Sequence, residues 1–152
     1  MPLYHSTHRD LESDSLIHPG NWGKFLLEMN LSHPSWAREI ALEAVRAWHY
    51  ADKPSRLKST FACDTIEAIR CYKAHHCSEG FIYEVEIVDI KAPKHKGDFN
   101  AVEPLPTLSD DMWSIALRYW QYNLKTNIQE CPGVECSEIV TASPLKVVRK
   151  II

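Results

Sequence analysis

The chain is poor in the features that mark disordered and membrane proteins. It has only 5 glycines among 152 residues and no low-complexity run, while 45% of its residues are hydrophobic. This composition argues against a disordered chain, because it provides enough apolar surface for a core. No segment approaches the ~18 consecutive apolar residues of a transmembrane helix, and the N-terminus lacks the basic and apolar regions of a signal peptide. We therefore expect one domain, residues 1–152, with one hydrophobic core and no membrane partner.

The sequence also lacks the common nucleotide-binding motifs and a strong positive charge. Neither GxGxxG nor a phosphate-loop motif occurs, so a bound dinucleotide would not be held as in a Rossmann fold. The net charge is -3, which does not favour a nucleic-acid-binding protein. One local basic cluster exists, at Lys91, Lys94, His95 and Lys96. Short charge runs are usually solvated, so we interpret this cluster as an exposed loop.

The cysteines give no sign of a disulfide framework or of a metal site. There are 5 of them, an odd number, and their spacing is irregular. This pattern predicts free thiols in a reducing cytoplasm. Soft metal ligands cluster in one stretch, at Cys71, His75, His76 and Cys77. Their spacing does not match the paired Cys-x(2–4)-Cys of zinc sites, so we expect no metal.

Alternation and helical spacing predict the element order β-α-β-α-β-α-β-β. The predicted strands cover residues 3–7, 57–62, 81–90, 138–141 and 145–151. The predicted helices begin near Ser35, Asp64 and Asp111, whose side chains suit a helix N-terminus. We expect an α+β domain with a mixed, largely antiparallel sheet that is split around a cleft.

Two further local expectations concern the first half of the chain. The first predicted helix has an apolar face made by Trp36, Ile40, Ala44, Val45 and Trp48, at three- to four-residue spacing. The stretch before it, residues 18–23, contains Pro-Gly and a second glycine, so we expect a turn-rich loop there. A loop rich in proline and glycine is also expected after the strand 81–90.

Three short segments carry polar and aromatic residues in an order that points to one site. They are Tyr4-His5-Ser6-Thr7, then Leu57-Lys58-Ser59-Thr60-Phe61-Ala62 followed by Tyr72, then Ser137-Glu138-Ile139-Val140-Thr141 followed by Pro144-Leu145-Lys146-Val147-Val148. In this order they resemble the split NAD-binding site of the ADP-ribosyltransferase superfamily. The resemblance is nearest to small rifampin ADP-ribosyltransferases, and the His-Tyr-Glu branch of diphtheria toxin and poly(ADP-ribose) polymerase is more distant.

The resemblance assigns the first segment to the nicotinamide end of NAD. It implies that His5 bonds a ribose hydroxyl, for which imidazole is suited because it can donate or accept a hydrogen bond at neutral pH. It also implies that the strand at Ser6 and Thr7 positions the nicotinamide carboxamide through its backbone. His5 is therefore expected to orient the ribose that reacts.

The second segment is implied to hold the nicotinamide ring. Relatives place a strand here that corresponds to Ser59, Thr60 and Phe61, and a helix that carries a second aromatic residue, here Tyr72. Aromatic faces stack well on a flat, partly cationic ring. Thr60 stands where the first tyrosine of the family is usual, with Phe61 beside it. Arg56, just before the strand, is a candidate for a phosphate of NAD, although a surface position is the more common role of an arginine.

The third segment is implied to supply the catalytic acid. In relatives an acidic residue opens this strand and stabilises the positively charged ribose that forms as nicotinamide leaves, which corresponds to Glu138 here. Such a carboxylate acts mainly in the transition state, where stabilisation raises the rate. Asp98, in Gly97-Asp98-Phe99-Asn100, resembles the functional aspartate of rifampin-type enzymes and is the alternative acid. We favour Glu138, since Asp98 is expected in a loop.

The resemblance therefore implies an enzyme that uses NAD as its substrate. It would cleave the nicotinamide–ribose bond and transfer ADP-ribose to a protein, a nucleic acid or a small molecule, as a cytoplasmic toxin or phage effector. Two alternatives stay open. One is a non-catalytic NAD-binding or protein-interaction module on the same fold, which Thr60 favours. The other is an NAD glycohydrolase that uses water as the acceptor.

Overall fold

The computed structural model describes residues 1–30, 32–99, 102, 111–122 and 131–152. These residues form seven strands, four α-helices and one 3-10 turn. In chain order they are β1 (Leu3–Thr7), β2 (Leu16–Ile17), α1 (Asn21–Glu28), α2 (Trp36–His49), the 3-10 turn (Arg56–Lys58), β3 (Thr60–Ala62), α3 (Ile66–His76), β4 (Phe81–Ile87), β5 (Lys94–Asp98), α4 (Met112–Gln121), β6 (Ser137–Thr141) and β7 (Leu145–Lys150). Within these ranges, no helix has the length and apolar character that crossing a membrane requires.

The strands form two sheets that meet at a split. The first sheet has the order β1-β4-β7-β2 and the second has the order β3-β6-β5. Every strand pair in the described ranges is antiparallel. The edge strands β1 and β3 meet at a bridge between Tyr4 and Cys63, the residue after β3, whose backbone groups exchange two hydrogen bonds of 2.8 Å. The prediction of an α+β domain with an antiparallel, split sheet is therefore confirmed.

Helices cover both sheets and divide the core. α2 and α4 pack together on the second sheet, around Leu42, Val45, Tyr119 and Trp120. α3 packs on β1 of the first sheet. The predicted start of α4 near Asp111 is confirmed, since Asp111 caps the helix by accepting the amide of Ser114 at 3.1 Å, and Ala116, Tyr119 and Trp120 form its buried face.

The predicted apolar face of α2 is wrong except for Val45, which is buried, although the helix itself begins where expected. Trp48 is 81% exposed and Ile40 is 49% exposed. The buried stripe is instead made by Ser35 and by four helical residues: Arg38, Glu39, Leu42 and Val45. This stripe has the same helical spacing, but it contains two charged residues, which apolar periodicity cannot identify.

Several predicted loops contain regular structure. Residues 21–28 form α1 where a turn-rich loop was expected. Its Gly23 packs directly on the carbonyl of Leu57, 2.2 Å from where a Cβ would lie. The basic loop contains β5, in which His95 is buried and Lys96 pairs with Asp64 at 2.7 Å. The strand expected over 57–62 begins later, because Arg56–Lys58 forms the 3-10 turn.

The start of α3 is also shifted by one residue. Thr65, and not Asp64, caps the helix by accepting the amide of Ala68 at 3.1 Å. Asp64 accepts a hydrogen bond from Ser137 Oγ at 2.8 Å in addition to its pair with Lys96. Asp64 therefore ties the chain between β3 and α3 to the second sheet.

The prediction that all five cysteines are free thiols is wrong for two of them. Cys71 of α3 and Cys131 form a disulfide, with their Cα atoms 6.2 Å apart. Cys63, Cys77 and Cys136 are free and buried. The bonded pair lies 60 residues apart in sequence, so local spacing carried no sign of it. Cysteine usage therefore no longer supports a reducing compartment.

Candidate active-site cleft

The predicted site residues converge on one cleft at the split between the two sheets. The cleft has a volume of about 560 Å³, within the range of small-ligand sites. Six of the predicted residues line it: His5, Ser6, Arg56, Phe61, Tyr72 and Glu138. They come from β1, the 3-10 turn, β3, α3 and β6. They lie up to 133 residues apart in the sequence, so the fold brings them together.

The remaining predicted residues divide between a second cavity and the protein interior. A cavity of about 490 Å³ adjoins the cleft, shares His5, Ser6, Phe61 and Tyr72 with it, and is also lined by Thr7, Ser59 and Thr60. The Thr60 hydroxyl donates to the carbonyl of Ser143 at 2.8 Å, so it fastens β3 to the turn after β6. Asp98 is fully buried at the end of β5 and lines neither of these two cavities.

His5 is held as a neutral imidazole with a defined tautomer. Its Nδ1 lies 2.7 Å from the carbonyl oxygen of Phe61, which can only accept, so Nδ1 carries the proton. Burial lowers the pKa of His5, although the bond to Phe61 acts in the opposite direction. Nε2 is then an acceptor. The side chain thus spans the split between β1 and β3 and offers one acceptor nitrogen.

The backbone of Ser6 faces the split. Backbone groups of successive residues in a strand point to opposite sides, so those of Ser6 point to the same side as those of Tyr4. Tyr4 bonds to Cys63, the residue after β3, which places the amide and carbonyl of Ser6 on the β3 side of β1. The Ser6 hydroxyl is buried and has no partner among the described residues. A planar amide with one donor and one acceptor suits such an edge.

Aromatic side chains form the walls of the cleft. Phe61 lies on one side with the Arg56 guanidinium 4.9 Å from its ring centroid. Tyr72 lies on α3 and packs on Phe99 at 5.4 Å between centroids and on His76 at 4.9 Å. Burial raises the pKa of Tyr72 to about 12, so its hydroxyl stays protonated. Phe61 and Tyr72 therefore both contribute aromatic carbon to the lining of the cleft.

A second group of aromatic rings stands at the rim. Trp22 and Phe25 of α1 are stacked with their centroids 5.8 Å apart, and His33 meets both edge-on, at 5.4 Å and 5.5 Å. All three line the cleft. Phe25 and His33 were not identified from the sequence, because no helix was expected at residues 21–28.

Glu138 is the carboxylate of the cleft, and it is already paired. Its Oε1 accepts hydrogen bonds from Arg56 Nη1 and, at 2.5 Å, from the Tyr119 hydroxyl. Neither bond uses Oε2. Burial raises the pKa of Tyr119 to about 12, so the phenol keeps its proton and acts as the donor. The carboxylate is thereby fixed at the floor of the cleft, with one oxygen committed to protein partners.

Arg56 connects Glu138 to a second buried carboxylate, Glu39. The guanidinium binds both oxygens of Glu39, through Nε at 2.9 Å and Nη2 at 3.0 Å. Arg38 adds a bond to Glu39 at 3.2 Å. Burial raises the pKa of Glu39, but Arg56 and Arg38 outweigh it and hold that pKa below its usual value. The positive charges of Arg38 and Arg56 balance the negative charges of Glu39 and Glu138, which reduces the energetic cost of burying them.

The predicted surface position of Arg56 is therefore wrong, and two members of its network were missed. Only 4% of Arg56 is exposed. Arg38 and Glu39 could have been noticed, because they lie at helical spacing in line with Leu42 and Val45. A charged pair inside an apolar stripe indicates a buried network rather than a solvated face.

Gly97 allows Tyr119 to reach Glu138. In the register of β5 and β6, Gly97 lies opposite Glu138. A Cβ at Gly97 would lie 2.4 Å from Cζ of the Tyr119 ring and 2.7 Å from its hydroxyl oxygen. The absence of a side chain at this position therefore makes room for the phenol against the strand.

Comparison with known proteins identifies a family without an assigned activity. The family model described as a protein of unknown function (DUF2441) matches residues 9–139, and the chain belongs to this family. Arg56, Phe61, Tyr72 and Glu138 lie inside the matched range, whereas His5 and Ser6 precede it. No match was found among curated proteins.

Proposed function

We propose that the cleft binds NAD and that the protein transfers ADP-ribose from NAD to an acceptor. The observation that carries this proposal is the convergence of His5, Phe61, Tyr72 and Glu138 on one cleft at a split sheet. These residues come from the three segments that resemble the ADP-ribosyltransferase superfamily. The family match itself does not bear on this activity.

The groups of β1 and the aromatic walls suit the nicotinamide end of NAD. The outward backbone of Ser6 offers the carboxamide one donor and one acceptor. Phe61 and Tyr72 offer faces to the nicotinamide ring, which is cationic before the reaction. The acceptor nitrogen Nε2 of His5 can take a hydrogen bond from a ribose hydroxyl. Together they would fix the ribose with its anomeric carbon towards the floor of the cleft.

Glu138 then stands where positive charge develops. As the C–N bond breaks, its electron pair passes to the nicotinamide nitrogen, which becomes neutral, and the ribose carries the positive charge. A fixed carboxylate stabilises this charge without having to reorganise. Arg56 and Tyr119 are positioning residues here, since both hold Oε1 and leave Oε2 for the ribose. An acceptor nucleophile finally bonds to the anomeric carbon and loses its proton.

A second candidate is a non-catalytic module that binds NAD or a protein. Two observations favour it. Glu138 is already neutralised by Arg56, and Thr60, at the position of the family's usual first tyrosine, uses its hydroxyl to bond the carbonyl of Ser143. Such a module would bind NAD without releasing nicotinamide, or would not bind NAD at all.

The test is nicotinamide release from NAD by the purified full chain, with a cell extract as the source of acceptors. The Glu138→Gln variant keeps the shape of the side chain and removes its charge. We expect it to lower the rate by at least about 100-fold, the usual effect of losing one fixed electrostatic group. Asp98→Asn is the matched control, because it makes the same change at a buried acid outside the cleft. No release by the wild type would contradict the proposal.

Tagged NAD distinguishes the possible acceptors. Label on protein, nucleic acid or a small molecule identifies the acceptor class, whereas nicotinamide release without any label indicates transfer to water and an NAD glycohydrolase. We place the reaction in the cytoplasm, where NAD and all of these acceptors occur together.

A further inference from the structure

We propose that Cys71, His75 and Cys131 form a redox-gated zinc site, which binds one Zn²⁺ when the Cys71–Cys131 disulfide is reduced and none when it is formed. The inference is independent of the NAD cleft. It rests on the positions of three ligand atoms outside that cleft.

The three ligand atoms are already gathered at distances that suit zinc. They all lie within 4.8 Å of one another. Cys131 Sγ is 3.6 Å from His75 Nε2. For tetrahedral zinc with Zn–S of about 2.3 Å and Zn–N of about 2.0–2.1 Å, the expected S···N separation is about 3.6 Å. Once the disulfide opens, the sulfurs need only separate to about 3.8 Å to take two corners of the same tetrahedron.

The three residues come from two distant parts of the sequence but lie close together in the fold. Cys71 and His75 are four residues apart on α3, so they share one face of the helix. Cys131 reaches this face from the segment that leads into β6, 60 residues away. Of the sequence cluster Cys71, His75, His76 and Cys77, for which no metal was expected, only Cys71 and His75 belong to the proposed site. His76 lines the cleft and Cys77 is buried beyond the end of α3.

The chemistry of the donor set favours zinc among divalent cations. Two thiolates and one imidazole are soft and borderline ligands, which select zinc over magnesium or calcium. Two thiolates also neutralise the charge of Zn²⁺, so a half-buried site is acceptable. Cys71 is buried while His75 is exposed, so the fourth position faces solvent and can hold a water molecule.

The redox step balances with a thiol-based reductant. A dithiol attacks one sulfur of the disulfide, gives up two electrons and becomes a disulfide itself, while Cys71 and Cys131 each gain a proton. Zn²⁺ then binds both sulfurs and releases these two protons to solvent. Oxidation of the pair would expel the metal, because a disulfide sulfur is no longer a thiolate ligand.

The site is tested by zinc titration of the full chain against a chromogenic chelator. The protein is first stripped with EDTA and reduced with a water-soluble phosphine, which becomes a phosphine oxide and does not bind zinc strongly. We expect one equivalent of Zn²⁺ per chain in the reduced protein and none in the oxidised protein. Co²⁺ in place of Zn²⁺ should give thiolate charge-transfer bands and the d–d bands of a four-coordinate ion.

Variants separate this site from adventitious thiol binding. Cys131→Ser and His75→Ala should each weaken Zn²⁺ binding by at least about 100-fold, and Cys77→Ser is the matched control that should leave it unchanged. His75 is exposed, so His75→Ala keeps the test valid if a cysteine variant does not fold. The proposal is overturned if the reduced wild type binds no Zn²⁺, if the oxidised protein binds it equally well, or if His75→Ala binds it as tightly as the wild type.

Discussion

The two sheets of this protein differ in how many polar side chains they bury. The first sheet buries Ile82, Tyr83, Val85, Leu145 and Val147, with an ordinary apolar core around them. The second sheet buries a set of polar side chains. They are Thr60, His95, Asp98, Ser137, Glu138 and Thr141. Burying polar groups costs stability unless each finds a partner. We infer that the first sheet mainly stabilises the fold, whereas the second sheet carries a prearranged polar network that borders the cleft.

The largest effect is expected from breaking the charge network of the second sheet. Arg56→Met should lower the free energy of unfolding by about 3–5 kcal/mol, because it leaves Glu39 and Glu138 buried without their shared partner. Urea unfolding at neutral pH measures this loss. The loss should shrink as the pH is lowered, since Glu39 and Glu138 can then take up protons in place of their ion pairs with Arg56.

The first sheet provides the matched control. Arg149→Met makes the same change at β7, where the arginine side chain is 68% exposed and pairs with Glu84 at 2.7 Å. An exposed pair contributes only about 0–1 kcal/mol. Similar losses for the two variants would mean that the polar network of the second sheet has no special energetic role.

An intermediate effect is expected at the contact between β5 and α4. Gly97→Ala introduces a Cβ that would lie 2.4 Å from a ring carbon of Tyr119, which is fully buried and cannot move aside freely. Overpacking of this kind costs about 1–3 kcal/mol. Val148→Ala at a partly exposed position of β7 should change stability by less than about 0.5 kcal/mol. Thermal unfolding compares the two, and equal melting temperatures would contradict the close contact.

A further effect is a pH dependence that belongs to the second sheet. Burial and the nearby Lys53 lower the pKa of His95 from 6.5 to about 4. The unfolded chain therefore binds a proton between these values that the folded chain does not. Neutral His95 makes its full contribution to the free energy of unfolding above about pH 6.5. Between pH 6.5 and 4 this contribution decreases as the pH is lowered, by up to about 1.4 kcal/mol per pH unit.

The variant His95→Gln isolates this contribution. Urea unfolding at pH 7 and pH 5 should show a smaller loss of stability for the variant than for the wild type, whereas Leu145→Ala in the first sheet should keep the wild-type difference. An unchanged pH dependence in His95→Gln would show that His95 does not titrate as described.

The first sheet was largely predictable from the sequence, and the reason is its apolar alternation. Strands β1, β4 and β7 were found with bounds close to those observed, and the alternation of β4 is the clearest of these patterns. The second sheet was not fully predictable. The sequence of β5 is typical of a basic, glycine-containing loop, because its buried residues His95, Gly97 and Asp98 are not apolar.

Several residues that line the cleft were predictable from the sequence, but the hydrogen bonds and ion pairs that hold them were not. His5, Phe61, Tyr72 and Glu138 were identified from short segments and do line one cleft. Glu39 and Tyr119 were missed as partners of that site, because hydrogen bonds between residues 17 to 82 positions apart leave no local pattern. Cys131 was missed as the partner of Cys71 for the same reason. Long-range pairing of polar groups is decided by tertiary packing.

The most direct test of the NAD cleft is a crystal structure of Glu138→Gln soaked with NAD at a concentration that saturates binding in solution. Loss of the carboxylate should let intact NAD persist. We predict the nicotinamide ring between Phe61 and Tyr72, its carboxamide on the backbone of Ser6, and its ribose within hydrogen-bonding distance of His5 Nε2. NAD bound elsewhere on the molecule, with this cleft empty, would contradict the account.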